Sequence, residues 1–210
     1  MASKMTTSSY AVLALLYLKP WTGYELTQQA QRSLRYAWPK STRLLYSEPK
    51  KLVERGYATT YKEKAGNRSR NVYEITPEGR EALAVWTQSR TQPPRMEIEA
   101  LLRLLFADHG STQDLFRALD ELEADIGEHH QAIVELMASY LEGGHPFPKR
   151  THLSVLFATF QIDMFKAIER WIEFARGEIA EWQTTKDLGM DPRTEALTRL
   201  LANDQTPLNK

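Results

Sequence analysis

Cysteine is absent from the 210-residue sequence, which excludes disulfide frameworks, thiolate metal sites and cysteine nucleophiles. Glycine and proline number only 10 each, too few for a collagen-like or low-complexity chain. No apolar run approaches the ~20 residues that a membrane-spanning helix requires. The stretch from Tyr10 to Leu18 follows Lys4, as in a secretory signal, but it is short and leads into Lys19-Pro20-Trp21 instead of a small-residue cleavage site. A cytoplasmic protein with no membrane contact is expected. Catalytic signatures are also missing: there is no glycine-rich phosphate loop and no Gly-x-Ser-x-Gly. The histidines (His109, His129, His130, His145 and His152) fit no zinc-protease spacing. His145 and His152 flank a turn and would need an acid to complete a metal site; solvated surface is the plainer reading. Neither an enzyme, a metal nor a cofactor is expected.

Net charge is the last absence, with 27 Lys and Arg against 27 Asp and Glu. The average conceals two opposite halves. Residues 1–90 hold 15 basic and 7 acidic side chains, a balance of +8; residues 91–210 hold 12 and 20, a balance of −8. A basic half attracts a polyanion even where the whole is neutral. Hydrophobic residues at 42% and aromatics at 10% allow an ordinary packed core.

Along the basic half, Ser8 or Ser9 is expected to cap a helix through Leu13, Leu16 and Leu18 that Pro20 stops. Thr22-Gly23 opens a second helix over 24–33, with Tyr24, Leu26 and Ala30 facing inward. Ser41 caps a third, which ends at Gly56 with Leu44, Leu45, Leu52 and Val53 as its apolar stripe. Pro49 lies inside it and should kink or divide it. Tyr57 to Lys64 alternates like a strand, and Asn71 to Ile75 forms a second, joined by a tip of Gly66-Asn67-Arg68-Ser69-Arg70. Thr76-Pro77-Glu78 then opens a fourth helix carrying Leu83, Val85 and Trp86.

Thr91-Gln92-Pro93-Pro94 marks a boundary, and the rest reads as helix. A short apolar segment spans 97–106. A long amphipathic helix starts at Thr112, with Leu115, Leu119, Leu122, Ile126, Ile133 and Leu136 on one face. After Gly143-Gly144-His145-Pro146, a second long helix carries Leu153, Leu156, Phe157, Phe160, Met164, Ile168, Trp171, Ile172 and Ala175. The expected domains are a DNA-binding unit over 8–90, a helical unit over 96–186, and a tail over 187–210 with a short helix at 193–202.

Three helices, a hairpin and a fourth helix describe a winged helix-turn-helix, and the fold class is mainly α with a two-stranded wing and an antiparallel helical dimerisation domain. In that architecture the third helix enters the major groove and the wing reaches the backbone. Arg43 matches the O6/N7 edge of guanine. Ser41, Thr42, Tyr46 and Ser47 offer donors to bases or phosphates, and Lys40, Lys50 and Lys51 suit phosphates. At the wing, Lys64, Asn67, Arg68, Ser69 and Arg70 suit phosphates or a minor groove. The apolar stripes beyond residue 111 exceed what one hairpin hides, so a homodimer on a palindromic operator is expected. Phe157, Phe160, Met164 and Trp171, with Trp182 nearby, are candidates to line an aromatic effector cavity, although such a stripe is more often plain core. A winged helix that only binds proteins is the alternative.

The stretches Tyr10 to Leu16, Gly23-Tyr24-Glu25-Leu26, Leu45-Tyr46, Lys51-Leu52 before Gly56, and Arg70 to Arg80 resemble the PadR-type transcriptional regulators. The C-terminal part is similar in topology to the longer branch of that family. The resemblance implies a bacterial homodimer, usually a repressor released by a small aromatic, phenolic or drug-like compound. One departure stands in the third helix: the family's usual Leu-Tyr-Pro is Leu45-Tyr46-Ser47 here, with the proline displaced to Pro49.

Overall fold

The computed structural model describes residues 5–34, 38, 42–65, 68–94 and 96–205, apart from the side chains of Thr42, Ala65 and Arg68. The chain divides into two compact units, Met1–Pro94 and Arg95–Lys210. Among the described residues no helix is long and apolar enough to cross a membrane.

The first unit begins with α1 (Thr7–Leu18). Its cap is Thr6, two residues before Ser8 and three before Ser9: Thr6 and Ser9 form a reciprocal box in which each side chain accepts from the other's backbone N–H. Ser8 and Ser9 are instead buried in the helix's first turn. The two-residue strand β1 (Trp21–Thr22) follows, then α2 (Gly23–Leu34). Thr22 and Glu25 box the start of α2, the Thr22 N–H and hydroxyl both donating to the Glu25 carboxylate while the Glu25 N–H donates to Thr22 Oγ1. Helix α3 (Thr42–Glu54) packs on α1 and α2. It runs unbroken through Pro49, where the sequence suggests a kink. Pro49 is fully buried, so packing of its ring offsets the roughly 3 kcal/mol that an interior proline costs. Gly56 stops the helix with φ +76°, a conformation that suits glycine.

Strands β2 (Ala58–Ala65) and β3 (Arg68–Ile75) form the wing. They pair from Ala58↔Ile75 out to Ala65↔Arg68, and β1 adds to the other edge of β3 through Trp21↔Tyr73 and Thr22↔Val72. Ser69 and Arg70 are therefore strand residues opposite Lys64 and Glu63, not members of the tip. The feet of the wing meet at one point. The Thr76 N–H donates to Tyr57 O at 3.1 Å and the Thr76 hydroxyl to Gly56 O at 2.7 Å. Helix α4 (Pro77–Gln88) opens there, capped by Thr76. The core of this unit gathers Val12, Leu13, Leu16, Leu26, Leu45, Leu52, Val72 and Ile75.

The second unit holds α5 (Glu99–Leu105), α6 (Thr112–Leu141), α7 (Thr151–Ala180) and α8 (Pro192–Ala202). Helices α6 and α7 are 30 residues each, or about 45 Å long. They pack antiparallel, with ion pairs from Arg176 to Asp120 and Glu123 and a hydrogen bond between His130 Nδ1 and Glu169 at 3.1 Å bridging them. Leu115, Leu119, Ile172, Ala175 and Ile179 form the core, with Leu104, Phe116, Trp171 and Trp182 packed against it. The first turns of α7 depart from expectation. Ala158, Gln161 and Phe165 face inward, while Leu153, Leu156, Phe157 and Phe160 are exposed.

A Cβ at Gly79 would stand 2.2 Å from Tyr57 O and 2.9 Å from Ile75 Cγ1. Gly79→Ala is therefore expected to destabilise the first unit by about 2–3 kcal/mol, read as a lower urea midpoint at unchanged slope.

Candidate nucleic-acid interface

Helix α3 buries one side and presents the other. Leu45, Glu48, Pro49 and Leu52 are buried, while Arg43, Tyr46 and Lys50 are exposed at the three- to four-residue spacing of one helical face. Ser47 is half-buried, and its hydroxyl donates to Leu44 O at 2.9 Å within the helix. Lys51 is turned to the flank, where its Nζ lies 2.7 Å from Glu48 Oε1. Glu48 is itself buried and also accepts from Ser9 Oγ at 2.8 Å. This carboxylate ties α3 to α1 and pairs the exposed Lys51 ammonium at the flank of the helix. Lys40, Ser41 and Asn67 lie outside the described residues, as do the side chains of Thr42 and Arg68.

On the wing, Lys64, Ser69 and Arg70 are exposed. The Arg70 guanidinium is paired across the strands with Glu63, its Nε donating at 3.0 Å. Both partners of this pair are exposed, so it contributes little to stability and is readily exchanged. Arg70 and Asn71 of β3 meet Tyr46 of α3 and Thr22, Gly23 and Tyr24 at the start of α2 around an open cleft of about 390 Å³, with Tyr73 as a further wall. Exposed side chains of α3 and of the wing thus border one surface.

Tyr24 was expected inward, yet it is 61% exposed. The reason is angular. Leu26 and Ala30, four apart, share the buried side, and a residue two before Leu26 falls some 200° away from it on the helix. Asn71, read as an ordinary strand residue, is also exposed at this cleft. Nothing in the strand alternation distinguished it.

In the second unit the four aromatic-stripe residues spread along α7. Phe157 and Phe160 are exposed, Met164 is half-buried, and Trp171 packs on the core cluster. Phe160 and Trp171 are about 16 Å apart along the helix axis. His145 is held by the Phe147 N–H, which donates to Nδ1 at 2.8 Å, so Nε2 carries the proton toward Ser154 Oγ. Among the described residues no group of three His, Asp or Glu is placed to hold a metal ion.

The carboxyl of Glu25 lies below the ordinary glutamate value, because the Thr22 backbone N–H and then its hydroxyl bond the charged form. The native state thus binds that proton less tightly than the unfolded chain. Its stabilisation is complete above the ordinary glutamate value and is lost as pH falls through the lower native one. In urea unfolding between about pH 7 and about pH 3, Glu25→Gln is expected to be less stable than the parent at neutral pH and to lose less on acidification.

Residues 12–85 match the transcriptional regulator PadR-like family. The negative transcriptional regulator PadR of Bacillus subtilis (strain 168) is 27% identical over 175 residues, covering 80% of this chain and 95% of that protein. The crystal structure of Bacillus subtilis PadR in complex with operator DNA superposes with a TM-score of 0.71 at 21% identity, over 84% of this chain and 99% of the other. The same protein in complex with p-coumaric acid gives a TM-score of 0.61 at 21% identity, over 86% of this chain and 100% of the other. These structural likenesses establish a common fold.

Proposed function

From the premise that this chain carries a PadR-like transcriptional-regulator domain over residues 12–85, we propose that it is a homodimeric repressor that holds a palindromic operator in the cytoplasm and releases it to a small aromatic compound. The observation that carries the DNA reading is the shared surface of α3 and the wing, where Tyr46 and Arg70 border one cleft beside the exposed Arg43 and Lys50. Arg43 is assigned to a guanine edge, and Lys50, Lys64 and Arg70 to phosphates. Repression and release draw support from the named roles of Bacillus subtilis PadR, a negative regulator that has been solved with operator DNA and with p-coumaric acid. Phe157, Phe160, Met164 and Trp171 are the residues proposed to meet such an effector, although they spread along α7 and form no single cavity wall.

A gel shift with the DNA upstream of the chain's own gene tests the proposal. A shift is expected at about 50 mM salt, weakening steeply as salt rises because bound cations release counterions. Arg43→Ala is expected to cost about 1–3 kcal/mol and to relax preference at one base pair. Equal weakening on every sequence would make Arg43 a phosphate contact, and no shift at low salt would favour a protein-binding winged helix.

Dimerisation is supported by the apolar side chains that a single copy leaves in water: Leu102, Leu105 and Phe106 around the end of α5, and Leu153, Leu156 and Phe160 on α7. A second copy is the partner that closed two-fold symmetry supplies. Light scattering at micromolar concentration should give twice the 24.2 kDa chain mass. Leu156→Asp combined with Phe160→Asp should return it toward the monomer mass with helix content retained. A single-chain mass for the parent would reject the dimer. Tryptophan fluorescence titrated with planar phenolic acids checks the effector, an unchanged signal counting against it.

A further inference from the structure

We propose that the cleft between Tyr24, Tyr46, Arg70 and Asn71 seats one phosphodiester of the bound DNA strand, with the Tyr24 hydroxyl as an uncharged donor to it. This assignment rests on the DNA reading above and adds to it a residue, a backbone phosphate and a mode of contact.

The Gln28 contact of the Tyr24 hydroxyl is the first support. The Gln28 side-chain amide, one turn along α2, donates to the Tyr24 oxygen. A phenol that accepts through its oxygen keeps its own proton to donate. An acceptor-only group with several lone pairs, such as a phosphate oxygen, is its natural complement. Packing gives no reason for a tyrosine here, because the buried side of α2 is made by Leu26, Thr27 and Ala30 and the Tyr24 ring stands 61% exposed.

The company of Tyr24 is the second support. The Tyr46 ring lies against the α2 start, with Cδ1 3.7 Å from the position of a Cβ on Gly23, and Tyr24 and Tyr46 both line the cleft. Arg70 and Asn71 of the wing line the same cleft. Two carboxylates are near, and both are engaged. Glu25 accepts from the Thr22 N–H and hydroxyl. Glu63 holds Arg70 in a pair whose members are each 48% exposed, and a phosphate can replace such a surface pair at little cost. These acids oppose a free anion in dilute solution. A phosphate delivered as part of a polymer already held by α3 is a different case, since the second contact is then intramolecular.

The experiment uses the full-length chain and its upstream DNA, scanned with single neutral methylphosphonates. Tyr24→Phe deletes one oxygen from an exposed ring, and unchanged thermal unfolding confirms that the fold is kept. Affinity should fall about fivefold to tenfold. One backbone position should be penalised by methylphosphonate in the parent and much less in Tyr24→Phe, while every other position behaves alike in the two proteins. The salt slope should be unchanged in Tyr24→Phe and smaller by about one unit in Arg70→Ala. Parent-like affinity of Tyr24→Phe, or an equal methylphosphonate pattern in the two proteins, would overturn the phosphate seat while leaving the regulator intact. A parent that binds no DNA at low salt would remove the regulator reading, and the seat with it.

Discussion

The backbone carbonyl of Tyr57 occupies the space that a side chain would need at Gly79, and the arrangement of the first unit follows from that close approach. At this point the end of α3, both feet of the wing and the start of α4 are tied together. Gly56 turns the chain out of α3, and Thr76 then returns a hydroxyl to Gly56 O and an N–H to Tyr57 O. A hairpin rooted on the last turn of a helix cannot tilt independently of it. The exposed row on α3 and the base of the wing are consequently parts of one frame, and the buried Glu48 fastens that frame to α1 through Ser9.

Much of this frame was legible because its signals are local chemistry. Thr76-Pro77 as cap and first turn, Gly56 as a helix stop and the alternating strand from Tyr57 each rest on backbone preferences that neighbouring elements do not alter. What escaped needed the third dimension. Strand β1 is two residues long, too short for any periodicity, and it exists only because β3 offers a free edge. The outer wing was read as a loop because Arg68-Ser69-Arg70 lacks alternation. Ser69 and Arg70 face solvent on both sides of the ribbon, so burial imposes no period of two there. Pro49 was weighed on its backbone cost alone, while its buried ring decides the outcome. On α7 the hydrophobic stripe was wider than one interface, and the sequence could not say which half packs on α6 and which is left for something else.

The same distinction applies to charge. Counted as residues, the basic half carries +8, but Lys51 is spent on Glu48 and Arg70 shares its charge with Glu63. Arg43 and Lys50 remain the cationic members of the outward α3 face. On the proposed reading, contact there would rest on the placement of a few donors more than on bulk attraction, which gives neutral groups such as phenols and amides a larger part. In the second unit the acids are likewise not a uniform field. Asp120 and Glu123 bracket Arg176, Glu178 holds Arg193 of the last helix, and Glu99 and Glu121 flank Arg103.

The third strand supports the sheet only at Val72 and Tyr73. Beyond them, from Lys62↔Asn71 outward, β2 and β3 continue as a bare two-stranded ribbon. Such ribbons twist more strongly than wider sheets and carry no core of their own. The base of the sheet is therefore the broader, better-supported part of the first unit and the outer wing its softer part. If the wing is the element that meets DNA, as proposed, it would yield to the shape of its partner before α3 does.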